Sequence, residues 1–100
     1  DINVHGLAHI TGGGLIDNPP RILPEGCGMV LRRSRWPVPS IFGLIQQHGN
    51  VSADEMAHVF NMGLGMLAIL PADQATQAQK ILPDAHLVGE ITSGSGVMLQ

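Results

Sequence analysis

The pattern of apolar and polar residues predicts nine short elements along the chain. Apolar residues that alternate or run together are typical of strands, and apolar residues that recur every three or four positions are typical of helices. The predicted strands cover residues 4–10, 28–31, 66–70, 86–92 and 97–100, and the predicted helices cover 15–18, 40–47, 52–61 and 71–82. The order β-α-β-α-α-β-α-β-β indicates a layered fold of the α+β or α/β class, with helices packed on a sheet.

The apolar positions also predict which side chains are buried. In the strand at 4–10, Val4, Ala8 and Ile10 share one face. The unbroken apolar run at 66–70 is typical of a strand that is covered on both faces. The inner faces predicted for the three longer helices consist of Ile41, Phe42, Leu44 and Ile45, of Met56, Val59 and Phe60, and of Ala75, Ala78 and Leu82.

Several element boundaries carry their own signals. Ser52 with Glu55 three residues later is a capping box, in which each residue satisfies a free backbone N–H at the helix start. Asn50 after Gly49 is typical of a helix C-terminus. Asn18 precedes a proline, a position that disfavours helical backbone, so the first helix is predicted to end there. The Ser-Gly-Ser-Gly sequence at 93–96 predicts a hairpin-like loop between the last two strands.

Three consecutive glycines, Gly12, Gly13 and Gly14, separate the first predicted strand from the first predicted helix. They bury no side chain and cost backbone entropy, so they indicate unusual backbone angles or a close approach of the main chain. A positive φ or a close approach of the main chain is expected at Gly13. Backbone N–H groups that converge before a helix favour an anion, so this loop, with Thr11, could bind a phosphate. A tight structural turn explains the glycines equally well from the local pattern, and both interpretations stay open at this point.

A second glycine-containing segment follows the third predicted helix and includes Asn61, Gly63 and Gly65. It either lines a cleft or is a helix C-cap with a left-handed glycine. His9 could contact a substrate or transfer a proton, although a hydrogen bond from its ring to the backbone is the simpler interpretation. His5 and His9 share a strand face but lie about 13 Å apart, too far to share a metal ion, so no metal site is predicted.

Composition restricts the class of protein. Of the 100 residues, 13% are charged, whereas soluble domains average about 25%, so part of the surface is expected to be covered. The length predicts a single domain, residues 1–100. The net charge of −3 argues against a nucleic-acid partner, and the absence of a long apolar run argues against a membrane span. The single cysteine, Cys27, allows no internal disulfide and fits a reducing, cytoplasmic setting.

Three motifs stand in register along the chain: His9-Ile10-Thr11-Gly12-Gly13-Gly14, Asn18-Pro19-Pro20-Arg21-Ile22-Leu23-Pro24 and Phe60-Asn61-Met62-Gly63-Leu64-Gly65-Met66. Together they resemble one known family, aminoimidazole ribonucleotide synthetase, which is the phosphoribosylformylglycinamidine cyclo-ligase of de novo purine synthesis. The resemblance covers nearly the whole chain but only the later part of the C-terminal domain of that longer enzyme. The second of two adjacent prolines, Pro20, departs from the family pattern.

The resemblance implies an α+β fold with a mixed β-sheet, truncated at its N-terminal side. It implies a reaction in which ATP activates the formyl oxygen of formylglycinamidine ribonucleotide, an amidine nitrogen attacks, and phosphate leaves. ATP and Mg²⁺ are expected to bind mainly to an N-terminal domain that this chain lacks, and the full-length enzyme is expected to be a homodimer. The implied phosphate- or substrate-binding residues are Thr11, Gly12, Gly13, Gly14, Asn61, Gly63 and Gly65, with His9 as a candidate catalytic residue.

Two other classes stay open. Another ATP-using enzyme of the same superfamily, such as selenophosphate synthetase, thiamine-phosphate kinase or the amidine-forming synthetase one step earlier, would keep the general fold but not both glycine motifs. A non-catalytic binding or oligomerisation module is favoured by the short length and opposed by the glycine loops. The sequence that precedes this chain in the native gene would discriminate them, because a glycine- and aspartate-rich ATP-binding half would identify the cyclo-ligase.

Overall fold

The computed structural model describes residues 2–100, and these form five strands and four α-helices. The order of the elements along the chain is the predicted one, and the α+β class is confirmed. The helices are α1 (Gly14–Asp17), α2 (Ser40–Gly49), α3 (Ala53–Val59) and α4 (Ala75–Ile81). The strands are β1 (Gly6–His9), β2 (Cys27–Leu31), β3 (Met66–Ile69), β4 (Gly89–Ser93) and β5 (Val97–Leu99).

The strands of the described region form two small sheets. In the first, β1 pairs antiparallel with β3, so that Ala8 lies opposite Leu67 and His9 opposite Met66. In the second, β2 lies between β4, which runs antiparallel to it, and β5, which runs parallel to it. The second sheet is therefore mixed. The prediction of a hairpin-like loop between the last two strands is wrong, because β4 and β5 lie on opposite edges of β2.

One hydrophobic cluster connects the two sheets. Ala8 and Ile10 are both 3% exposed, which confirms the predicted inner face of the first strand at these two positions, whereas Val4 is exposed. The cluster draws on both sheets, on α1 and on the segment before α2, so a single core holds these elements together. Its buried members are Ala8, Ile10, Leu15, Met29, Leu31, Trp36 and Leu67.

The third strand is covered on one face only. Leu67 is 6% exposed, but Met66, its neighbour on the opposite face, is 56% exposed. The prediction of a strand covered on both faces is therefore wrong. The reason is that one face of the β1–β3 sheet packs on the core. Within the described residues, 2–100, the other face is exposed to solvent.

The helices are less buried than their apolar faces predict. In α2, Ile41 and Leu44 are half exposed, and Phe42 packs edge-on against Phe60 with 5.8 Å between the ring centroids. In α3 Met56 is fully buried, but Val59 is exposed, so the predicted inner face of α3 is wrong at Val59. Leu82, next to α4, is also exposed, so the predicted inner face of α4 is wrong at that residue. Among residues 2–100, no helix combines the length and apolar composition that a membrane crossing requires.

The local boundary signals have mixed outcomes. The Ser52 hydroxyl accepts a hydrogen bond from the backbone N–H of Glu55 at 3.1 Å, which confirms this half of the capping box. Asn50 ends α2 in the left-handed conformation, with φ at 53°. The predicted end of the first helix at Asn18 is confirmed, because α1 ends at Asp17 and Asn18 is its C-cap. The expected non-helical backbone at Asn18 is wrong: its φ of −75° and ψ of −47° are helical, and a 3-10 turn, Pro19–Ile22, follows. Pro19 occupies the first position of that turn, where a backbone N–H is not needed.

Candidate functional site

The two glycine-containing segments lie side by side at one end of the β1–β3 sheet. Residues 11–14 are called the glycine loop below, and residues 61–65 the Asn61 turn. The backbone N–H of Ile10, which precedes the glycine loop, donates to the carbonyl oxygen of Gly65, the last residue of the Asn61 turn, at 2.9 Å. This contact follows from antiparallel pairing, because the end of β1 lies beside the start of β3. The structure therefore brings the predicted binding segments together.

Gly14 is the most tightly packed residue of the glycine loop. Its φ is +64°, and a Cβ atom added there would overlap the carbonyl oxygen of Ala57 and lie 2.8 Å from that of Phe60. Gly13, by contrast, has a φ of −85°, so the left-handed backbone falls one residue later than the expected position. A close approach does occur at Gly13, where an added Cβ would lie 2.8 Å from the Cβ of Asp17.

The backbone N–H groups of the glycine loop divide into bonded and free groups. Gly14 donates to the carbonyl oxygen of Thr11 at 2.9 Å, and Thr11 donates to the side-chain oxygen of Asn18 at 2.7 Å. Within residues 2–100, the N–H groups of Gly12 and Gly13 have no acceptor. The four residues of α1 make a helix of about one turn, which leaves little macrodipole behind the loop. The free donors, rather than a helix terminus, are therefore the feature that an anion would contact.

The Asn61 turn is a separate turn and not the C-cap of α3. The helix ends at Val59, and Phe60 is already extended. The side-chain oxygen of Asn61 then accepts the N–H of Gly63 at 2.8 Å. Left-handed backbone at Met62, with φ at 54°, and at Gly63, with φ at 100°, completes the turn. Of the two interpretations of this segment, the C-cap is thereby excluded.

Trp36 stabilises the Asn61 turn through a hydrogen bond, a role that the sequence reasoning missed. The indole is 6% exposed, and its N–H donates to the carbonyl oxygen of Met62 at 3.0 Å. A Cβ atom added at Gly63 would lie 2.6 Å from the ring of Pro39, so the same segment also packs against the glycine. The available signal was the single tryptophan itself, because a buried indole N–H needs an acceptor.

Asn18 stabilises the glycine loop through its side-chain oxygen, which accepts the backbone N–H of Thr11, and this role was also missed. It is 4% exposed and is the one buried polar residue among residues 2–100. The sequence reasoning treated it only as a helix stop. The available signal was its residue type, because short amide side chains bond readily to nearby backbone groups.

The other candidate residues lie around these two segments. His9 is exposed at the end of β1, opposite Met66, and its catalytic role stays a prediction. Asp17 and His58 form an exposed pair, with 3.6 Å between the carboxylate oxygen and the ring nitrogen. In the part of the chain that the structure describes, His, Cys, Asp and Glu side chains form no group of three or more that could hold a metal ion. These residues therefore do not fit a complete Mg²⁺ site.

The fold and the paired glycine segments define an α+β domain with a loop-built candidate site at one end of a small sheet. Residues 1–100 match the family model described as "AIR synthase related protein, C-terminal domain". The chain belongs to this family.

Three relatives illustrate the similarity, and each is named phosphoribosylformylglycinamidine cyclo-ligase. The protein of Magnetococcus marinus is 54% identical over 94 residues, which cover 90% of this chain and 27% of the relative. The protein of Symbiobacterium thermophilum is 48% identical over 95 residues, which cover 91% of this chain and 27% of the relative. The protein of Bacillus pumilus is 46% identical over 98 residues, which cover 94% of this chain and 28% of the relative. The chain thus spans a little over a quarter of the length of these relatives.

Proposed function

We propose that this chain is part of an ATP-dependent cyclo-ligase of de novo purine biosynthesis. The enzyme converts formylglycinamidine ribonucleotide and ATP into aminoimidazole ribonucleotide, ADP and phosphate. The observation that carries the proposal is the 54% identity to a protein named as this cyclo-ligase, over 90% of the chain. The presence of both glycine motifs supports the same enzyme over other members of its superfamily.

The glycine loop supplies backbone donors to a phosphate group of one of the two substrates. Support comes from the free N–H groups of Gly12 and Gly13, and the exposed Thr11 hydroxyl lies beside them in the chain. Phosphoryl transfer depends mainly on such clamps and on exclusion of water, with little covalent chemistry for the protein. Gly14 keeps the main chain close to α3, and its role is to hold the loop against the rest of the domain.

The Asn61 turn belongs to the same proposed substrate-binding site as the glycine loop. The bond between Ile10 and Gly65 supports this, because it places the turn directly beside the loop. In this proposal Asn61, Gly63 and Gly65 shape the substrate-facing wall. His9 lies at the edge of the site, where it contacts substrate.

ATP and Mg²⁺ bind mainly to parts of the enzyme outside this chain. Mg²⁺ would neutralise charge on the phosphate oxygens, and this chain would complete the cleft around the bound nucleotide. The full-length enzyme is proposed to act in the cytoplasm as a homodimer, with nucleotide and ribonucleotide substrates as its ligands.

Ring closure by the full-length protein that contains this chain tests the function. The purified protein is supplied with formylglycinamidine ribonucleotide, ATP and Mg²⁺, and both aminoimidazole ribonucleotide and ADP are quantified. We expect one molecule of each per turnover and no product without ATP. Failure to form the imidazole ring would reject the proposed function.

A variant of Gly12 tests the role of the glycine loop. A Cβ atom added at Gly12 meets no atom within 4 Å. Gly12→Val is therefore expected to leave the packing intact while its branched side chain crowds the free donors. We expect KM for one phosphate-bearing substrate to rise roughly tenfold, because the variant loses about one to two hydrogen bonds to that substrate. The melting temperature should change little. Gly43→Val is the matched control, because an added Cβ is equally unobstructed there but lies in α2. Equal KM values for the two variants would show that the glycine loop does not bind the substrate.

A further inference from the structure

We propose that Asn18 is a positioning residue for the phosphate-binding glycine loop. Its side-chain oxygen fixes the start of the loop, and its side-chain NH₂ group lies beside Gly13, whose backbone N–H is one of the free donors. This inference rests on the proposed function and adds to it a residue outside the loop.

The first step of the argument is the bond that Asn18 makes. Its side-chain oxygen accepts the backbone N–H of Thr11 at 2.7 Å, although Thr11 itself is exposed. Burial of an amide side chain is unfavourable unless its polar atoms are bonded, so this contact is needed for Asn18 to be buried. The neighbouring Leu15 and Pro19 are also fully buried. The bond therefore ties an exposed loop to the core.

The second step is the direction of the other end of the amide. A backbone N–H can only donate, so the side-chain oxygen must face Thr11, and the NH₂ group must point away from it. In the region that the structure describes, the NH₂ group has no acceptor, and no enclosed side-chain nitrogen or oxygen is left without a partner. The NH₂ group of Asn18 therefore still reaches solvent.

The third step is the role of Gly13. A Cβ atom added at Gly13 would lie 3.3 Å from the Asn18 NH₂ nitrogen. The glycine therefore leaves this nitrogen uncovered on the loop side. Together with the free N–H groups of Gly12 and Gly13, the NH₂ group offers further donors to one anion.

Two substitutions in the full-length enzyme separate these roles. Asn18→Leu removes both the acceptor and the NH₂ group, whereas Asn18→Asp keeps the acceptor and places a carboxylate oxygen beside Gly13. We expect hydrogen exchange of the Thr11 amide to become roughly tenfold faster in Asn18→Leu and to stay unchanged in Asn18→Asp. We expect KM for one phosphate-bearing substrate to rise roughly tenfold in both variants, in Asn18→Asp because of repulsion between like charges.

Met29→Ala is the control for a purely structural effect. Met29 is 5% exposed in β2 and belongs to the same core cluster, so its truncation lowers stability without touching the loop. We expect it to lower the melting temperature and to leave KM unchanged. Unchanged KM in both Asn18 variants, or unchanged Thr11 exchange in Asn18→Leu, would overturn the positioning role.

Inorganic phosphate separates this inference from the proposed function. If the wild-type enzyme closes no ring, the proposed function fails, and phosphate then serves as the probe. We expect phosphate to slow hydrogen exchange at the amides of Gly12 and Gly13 in the wild-type protein but not in Asn18→Asp. Phosphate that leaves these amides unprotected in the wild-type protein would overturn the role of Asn18.

Discussion

The backbone N–H of Ile10 donates to the carbonyl oxygen of Gly65 at 2.9 Å, and this bond joins the glycine loop to the Asn61 turn. A second contact lies on the other side of the loop, where Gly14 packs against the carbonyl oxygen of Phe60. The two segments are distant in sequence but are held together at both ends. Substitutions in either segment are therefore expected to affect the same region of the molecule.

Gly14→Ala is expected to destabilise the protein strongly. The residue needs a φ of +64°, and its new Cβ would overlap the carbonyl oxygen of Ala57. The conformational cost alone is roughly 1–2 kcal/mol, so we expect a loss of at least about 2 kcal/mol in the free energy of unfolding. Urea denaturation followed by circular dichroism measures it in the full-length protein.

Gly12→Ala is the matched control for that measurement. Its Cβ meets no atom within 4 Å, so the change in free energy of unfolding should stay within about 0.5 kcal/mol. Similar values for the two variants would contradict the close packing described at Gly14.

Trp36→Phe is expected to destabilise the Asn61 turn. The substitution keeps an aromatic ring in the core but removes the N–H that donates to Met62, and it leaves that carbonyl oxygen without this donor. We expect a loss of about 1–2 kcal/mol in the free energy of unfolding. Circular dichroism is the suitable signal, because Trp36 is the only tryptophan of this chain. The control is Leu87→Ala at a half-exposed position, and an equally large loss there would argue against a specific role of the indole N–H.

The isolated chain is expected to have no cyclo-ligase activity. It corresponds to 27% of the length of the Magnetococcus marinus relative, and the proposed nucleotide site needs the rest of the enzyme. The purified 100-residue chain and the full-length protein are assayed side by side for ATP-dependent ring closure. Measurable product from the isolated chain would refute this prediction.

The isolated chain is also expected to self-associate through the β1–β3 sheet. Among the described strands β1 pairs only with β3, so each strand keeps an unpaired edge, and such edges recruit other strands. Leu7 is 56% exposed on the outer face of this sheet. We expect Leu7→Lys to reduce the mean mass measured by light scattering at high concentration, since a charged edge strand resists pairing.

Leu87→Lys is the control for the association experiment, because Leu87 is 50% exposed but lies outside the strands. It should leave the mean mass unchanged. A wild-type chain that stays a compact monomer at high concentration would count against association through this sheet.

The order of the elements and several of their ends could be predicted from the sequence. The capping serine at Ser52 and the left-handed Asn50 depend on contacts within a few residues, and these local preferences agree with the folded structure. The first helix ends at Asn18 as predicted, since α1 covers Gly14–Asp17, but the expected departure from helical backbone before the proline does not occur. The helical backbone continues there because Pro19 begins a 3-10 turn that needs no N–H at that position.

The sequence by itself therefore determined the class of the fold and the positions of the two glycine segments. Only the tertiary structure decided that β1 pairs with β3, that β2 separates β4 from β5, and that one face of β3 is exposed. It also decided the roles of Asn18 and Trp36, since each bonds to a backbone group outside its own element. The physical reason is range: periodicity and capping report on neighbours along the chain, whereas strand partners and buried hydrogen bonds depend on which distant segments pack together.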